Sequence, residues 1–166
     1  MPTRRRVIST ISAATGTLVL PFRALAESHA PDVFATPVGE VTIYPVSHAS
    51  VVIETPETVI YVDPVGGVGA YRGLPNANLV LITHEHSDHF DPATLNALMA
   101  DDVHLIANPV VAERARDLNP EAITNGETTT WGTIRIEAIP AHNTTEGRLN
   151  FHPQGRDNGY VLDLGG

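Results

Sequence analysis

Short β-branched runs come first along the chain and helical spacing appears later. Residues 41–44, 50–54 and 58–62 are apolar, β-branched stretches of strand length, and the residues between the last two predict a hairpin. Residues 79–83 form a continuous apolar run, which predicts a strand buried on both faces. Asp91 followed by Pro92 makes an N-cap and a first helical position, and Leu95, Leu98 and Met99 then fall at helical spacing. A second helix is predicted from Asn108 and Pro109, after a short strand at 104–107. Residues 128–131 and 133–139 predict a hairpin around Gly132, and 160–164 a last strand. Strand pairs first and strand–helix alternation later predict α+β layers rather than a regular parallel barrel.

Two segments fall outside this pattern. Residues 27–40, with Pro31 and Pro37, read as a linker, and the Gly-rich stretch 63–69 reads as a turn or pocket rim, since it lacks the Lys and Ser/Thr ending of a phosphate-binding loop. The remainder, 41–166, is one domain.

Composition narrows the chemistry. The chain has 166 residues and a formal charge of −9, and its ten cations are all arginine. Such an acidic protein has no general electrostatic reason to bind a phosphate backbone, so no nucleic-acid partner is expected. Cysteine is absent, which leaves His, Asp and Glu as the side chains able to hold a metal.

The first 26 residues read as an export segment of the twin-arginine type. Arg4, Arg5 and Arg6 precede a moderately apolar stretch from Val7 to Leu20, and Ala24, Leu25 and Ala26 offer a small-x-small cleavage pattern. The apolar run is broken by Ser12, Thr15, Gly16 and Thr17 and is too short to span a bilayer, so no membrane anchor is expected after cleavage. A periplasmic or secreted location follows.

The dense feature is "ITHEHSDHF", Ile82 to Phe90, with three histidines and an aspartate within six residues at the end of a buried strand. Such groups are poor strand formers and costly to bury unpaired, and a cation offsets the cost of gathering them. A turn near Ser87 lets His84 and His86 point together while Asp88 and His89 swing to a second point nearby. Imidazole and carboxylate suit zinc, and also iron or manganese.

The stretch "HEHSDH" resembles the His-x-His-x-Asp-His motif of the metallo-β-lactamase superfamily, which also has an apolar strand before it. "VIYVDP" supplies Asp63, which the resemblance implies orients the metal loop rather than binding metal, and "IPAHN" offers His142 as the later histidine. "SHASVVIE", around His48, resembles the opening hairpin of the branch containing the ascorbate-6-phosphate lactonase-like hydrolases. The likeness covers residues 41–164 and implies an αβ/βα sandwich, mainly its N-terminal half.

Carried over residue by residue, the resemblance implies that His84, His86 and His142 hold a first metal, while Asp88 and His89 contribute to a second. The family's bridging aspartate, in a Gly-Asp-Thr context, and its last histidine have no counterpart here. A truncated chain or an isolated half of the sandwich is therefore expected, with one zinc held well and a second ion weakly. The activity implied is hydrolysis of a small ester, lactone or phosphodiester, rather than a β-lactam, by hydroxide that the metal makes available, with Asp88 orienting it or accepting its proton. The alternatives are a non-catalytic periplasmic metal-binding protein and a half-domain that completes its site as a homodimer.

Other histidines are less informative from sequence. His48 fits pocket lining and hairpin packing equally well, and His152 reads either as a residue reaching a small-molecule substrate or as plain surface loop. His104 and His29 read as structural or solvated, and Glu85, alternating with the ligands, points elsewhere.

Overall fold

The computed structural model describes residues 30–100 and 102–165. The export segment expected at 1–26 lies outside them. Ten strands make two sheets: β1 (Asp32–Thr36), β2 (Gly39–Ser47), β3 (Ser50–Glu54), β4 (Val59–Val62), β5 (Leu79–Ile82), β6 (His104–Ala107) and β7 (Glu121–Ala122) run in that order across the larger one. The smaller holds β8 (Thr128–Trp131), β9 (Ile134–Pro140) and β10 (Asn158–Asp163), with β9 in the middle. Pairing is antiparallel through β4 and parallel from β4 to β7.

β5 explains the layering. Its four residues, Leu-Val-Leu-Ile, are completely buried, and the period-two alternation of a strand divides them between two cores. Val80 and Ile82 pack with Leu95 of α1 (Pro92–Leu98) and Val111 of α2 (Pro109–Arg114). Leu79 and Leu81 face the other way, against Ile134, Ile136 and Ala138 of β9. Each such side chain contributes about 1.5–3 kcal/mol when fully buried. The result is helices, large sheet, small sheet, the layering expected for one half of an αβ/βα sandwich.

Both helices start as the sequence predicts. The Asp91 carboxylate accepts hydrogen bonds from the backbone N–H groups of Ala93 and Thr94, and the Asn108 side chain accepts from Val111 N–H, with proline next in each case.

The linker reading is corrected. Residues 32–36 form β1, paired antiparallel with β2 through a tight turn in which the Thr36 hydroxyl donates to the Gly39 carbonyl at 2.6 Å. Gly39 sits at φ 115°, and a Cβ there would lie 2.7 Å from Pro56 Cγ, so glycine is needed. Pro37 belongs to that turn. β1 gave no sequence cue because it is an edge strand with nearly every residue exposed, Val33 and Phe34 included.

Candidate metal centre

The parallel strands β4 and β5 end at the same side of the large sheet, and the residue after each begins the site. Asp63 follows β4 in a left-handed conformation, φ 44°, and is 2% exposed. That conformation is one of the few that aspartate tolerates outside the ordinary regions, and here it turns the carboxylate toward the end of β5. The Asp63 backbone N–H donates to the Leu81 carbonyl at 2.9 Å, and its own carbonyl accepts from the Ser50 hydroxyl at 2.6 Å. The carboxylate accepts from Thr83 N–H at 2.8 Å, from the Thr83 hydroxyl at 2.6 Å and from His89 Nδ1 at 2.8 Å.

Because Thr83 spends its hydroxyl proton on Asp63, the 2.9 Å contact between Thr83 Oγ1 and His84 Nδ1 has the imidazole donating. His84 is then the Nδ1–H tautomer, and its Nε2 carries a lone pair. That Nε2 is buried and has no hydrogen-bond partner. An orphaned buried acceptor of this kind fits a cation as its partner. His89, tied through Nδ1 to Asp63, likewise presents Nε2.

A turn closes just after His84. The backbone N–H groups of His89 and Phe90 donate to the His86 carbonyl at 2.9 and 2.7 Å, so the chain reverses around Ser87 as predicted. Two groups of three side chains, each with potential ligand atoms within 4.8 Å of one another, result: His84 with His86 and His152, and His48 with Asp88 and His89. His84 joins them, its ring centroid 3.9 Å from that of His89, 4.7 Å from His86 and 4.8 Å from His152. The donor set, imidazole with one carboxylate, fits a divalent cation.

His142, expected as the third imidazole, stands in neither group and is exposed; His152 takes its place. The reason lies in the long excursion between β9 and β10. Its outgoing limb carries Ala141 and Asn143, whose N–H groups donate to the carbonyls of Asp157 and His152 at 3.1 and 3.0 Å. The return limb is the one that enters the site. Asn158 N–H donates to the Thr83 carbonyl at 3.1 Å, and the hydroxyl of half-buried Tyr160 donates to the Ile82 carbonyl at 2.8 Å.

His48 resolves toward the site. It occupies the turn between β2 and β3 at φ 43°, and its Nε2 lies 3.1 Å from Asp88 Oδ2. His104 is remote, paired with Glu121 at 2.8 Å and stacked on Trp131.

Two residues with no assigned role in the sequence reading complete the arrangement. Asp157, 1% exposed, accepts from His152 Nδ1 at 2.8 Å and so leaves Nε2 of that ring free. Burial pushes Asp157 up, but hydrogen bonds from Arg156 and His152 outweigh it and hold the carboxyl below its usual range. Arg156 forks onto Asp157 at 2.6 and 3.0 Å, bonds the Phe151 carbonyl at 2.7 Å and lies 3.3 Å from Glu85 Oε1. One guanidinium thus ties the His84–His89 turn to the limb carrying His152. Adjacent Arg156 and Asp157 after a histidine were the available cue.

Arg156→Gln is expected to weaken divalent-metal binding at His84, His86 and His152 about tenfold, the usual scale for a lost outer partner. Arg156→Lys should recover only part of this, because an ammonium cannot fork onto a carboxylate. Competition against a chromogenic chelator reads both.

Burial, and then the His89 and His86 imidazoles, push His84 from 6.5 down to about 4. Between those values the unfolded chain binds a proton that the folded chain refuses, so acidification there favours unfolding. His89 moves the other way, raised chiefly by its hydrogen bond to Asp63, so its contribution fades as pH rises above 6.5. The chelator-treated protein should therefore lose thermal stability as pH falls from 6.5 toward 4, and His84→Gln should flatten that slope.

A family profile described as a beta-lactamase superfamily domain matches residues 42–166. Among solved structures, the chain is similar to a proposed metal-dependent hydrolase from Parabacteroides distasonis ATCC 8503, with 38% identity and a TM-score of 0.73 over 81% of this chain and 61% of that one. It is also similar to Igni18, a metallo hydrolase from the hyperthermophilic archaeon Ignicoccus hospitalis KIN4/I, at 18% identity and TM-score 0.57 over 75% of this chain and 57% of that one. CmlA, a diiron beta-hydroxylase from Streptomyces venezuelae, shares the fold at 23% identity and TM-score 0.56, over 78% of this chain and 28% of that one. The last two identities speak for fold alone. No curated protein matches significantly. The chain spans 57–61% of the length of the two hydrolases. With its layered sheets, its His-x-His-x-Asp-His turn and a profile match over nearly all of the described residues, the chain belongs to the metallo-β-lactamase superfamily.

Proposed function

We propose that this chain carries the metal-holding part of a hydrolase acting on a small ester, lactone or phosphodiester, with zinc at His84, His86 and His152 and a second divalent ion at His48, Asp88 and His89. The observation that carries this reading is the buried, partnerless Nε2 of His84 at the junction of the two groups. The 38% identity to a proposed metal-dependent hydrolase supports it.

A bound divalent cation lowers the pKa of its water to about 7 and draws electron density from the substrate's carbonyl or phosphoryl oxygen. The chain's own residues do the rest. Asp63 and Asp157 fix the His89 and His152 rings with Nε2 forward, and Thr83 does the same for His84. A hydrogen bond from its own backbone N–H and the positive fields of His89, His48 and His86 offset desolvation and hold Asp88 below the usual carboxylate range. It is an ionised acceptor beside His48, placed to orient water or take its proton. In the reaction the water oxygen joins the acyl or phosphoryl centre, the bond to the leaving oxygen breaks, and the water's proton ends on that oxygen. The twin arginines near the N-terminus support export, placing the reaction outside the cytoplasm.

A panel of chromogenic lactone, ester and phosphodiester substrates, with added zinc or manganese, tests the reading. Turnover by the wild type that disappears when His84→Ala and His86→Ala are combined supports it. Metal bound by the wild type with no turnover of any substrate would instead leave a metal-binding protein.

A further inference from the structure

Glu85 stands between His84 and His86 in the chain, yet its carboxylate belongs to neither group of ligand atoms. It reaches Arg156 instead, with Oε1 3.3 Å from Nη1. The side chain is only 10% exposed, and its second oxygen, Oε2, is buried with no hydrogen-bond partner among the described residues. From the helical layer, Arg114 Nη1 donates to the Glu85 carbonyl at 3.4 Å.

Stability alone does not account for this placement. A buried carboxylate loses its hydration, and one ion pair with the other oxygen left bare restores only part of it. The local charge is unbalanced as well: Glu85 and Asp157 are two carboxylates sharing the one guanidinium of Arg156. Without Glu85, Arg156 and Asp157 would remain as a balanced pair, forked at 2.6 and 3.0 Å.

The guanidinium shows what Glu85 adds. Nε and Nη2 of Arg156 are committed to Asp157, and Nη2 also to the Phe151 carbonyl, so that Nη1 has Glu85 as its partner. Asp157 Oδ2, which receives Nη2, is the oxygen that accepts from His152 Nδ1 at 2.8 Å. Polar contacts therefore run without a break from Glu85 through Arg156 and Asp157 to His152. They join the residue between the first two imidazoles to the ring of the third.

Resting on the metal site proposed above, we infer that Glu85 is a positioning residue: through Arg156 and Asp157 it sets the His152 ring against His84 and His86, so that one divalent cation takes all three. Glu85 itself touches neither the ion nor the substrate.

Glu85→Gln keeps the size of the side chain and removes its charge. In chelator competition it is expected to weaken zinc binding about fivefold, below the scale of a residue bonded directly to a ligand. In Arg156→Gln protein the same substitution should change affinity less than about twofold, because members of one linked unit are not additive. The urea midpoint of chelator-treated Glu85→Gln should equal or exceed that of the wild type. A readout free of metal is the His152 Nδ1–H proton resonance of the chelator-treated protein, identified by its absence from His152→Ala. The hydrogen bond to Asp157 shelters that proton in the wild type, and Glu85→Gln should broaden its signal away. Equal losses of zinc affinity with Arg156 present or replaced, a lowered midpoint with affinity unchanged, or an unaltered resonance would each overturn the inference and leave the metal site standing. If the wild type binds no zinc, the metal reading fails, and the resonance alone decides whether Glu85 positions His152.

Discussion

Asp63→Asn is expected to destabilise the metal-free protein by about 2–4 kcal/mol and to weaken zinc binding about 10–100-fold. The carboxylate takes three donors from Thr83 and His89 at 2.6–2.8 Å. An amide offers one oxygen, so in either orientation at least one buried donor faces an N–H₂ group. If the nitrogen takes the place of Oδ2, both the Thr83 hydroxyl and His89 Nδ1 lose their acceptor. The Thr83 proton is then free to turn toward His84, which reverses the ring's tautomer and removes the lone pair from Nε2. Stability and affinity fall together because the same hydrogen bonds serve both. Urea unfolding with chelator present reads the first, chelator competition the second. A loss under about 0.5 kcal/mol, within the range of an ordinary surface change, would mean that Asp63 does not organise the site.

The second large effect separates two histidines. His152→Ala should cost at least the roughly 10–100-fold in zinc affinity typical of an outer partner, since it removes a donor outright. His142→Ala should leave affinity within about twofold, as expected for a surface substitution. Zinc at about a hundred times its dissociation constant adds about 2.7 kcal/mol to the wild type. In a chain of this size that raises Tm by roughly 5–10 °C. The same zinc should shift the melting of His152→Ala by at most about half as much. If instead His142→Ala abolishes the zinc-induced shift and His152→Ala keeps it, the excursion between β9 and β10 reaches the metal by its outgoing limb.

Much of this architecture is local and so legible in the sequence. β5 is written as an unbroken apolar run, and the caps of α1 and α2 as Asp-Pro and Asn-Pro pairs. The turn at Ser87 and the clustering of His84, His86, Asp88 and His89 follow from six consecutive residues. What was not legible depends on long-range pairing. His142 follows directly from a clear strand, whereas His152 sits in a polar stretch with no periodicity, and its ring is held inward by Asp157, five residues on. The ties from Arg156 to Glu85 and from Asp63 to His89 join residues far apart in sequence, with no spacing rule to announce them. β1 was missed for the opposite reason: it buries almost nothing, so hydrophobic patterning has nothing to report.

His84 leaves the large sheet and His152 lies in the excursion between two strands of the small one, so an ion shared by their rings would fasten one layer to the other. Such an ion would act as a removable rivet, and chelation should loosen β8–β10 ahead of the rest. Amide hydrogen exchange would see this as protection lost in the three-stranded layer while β4–β6 remain slow.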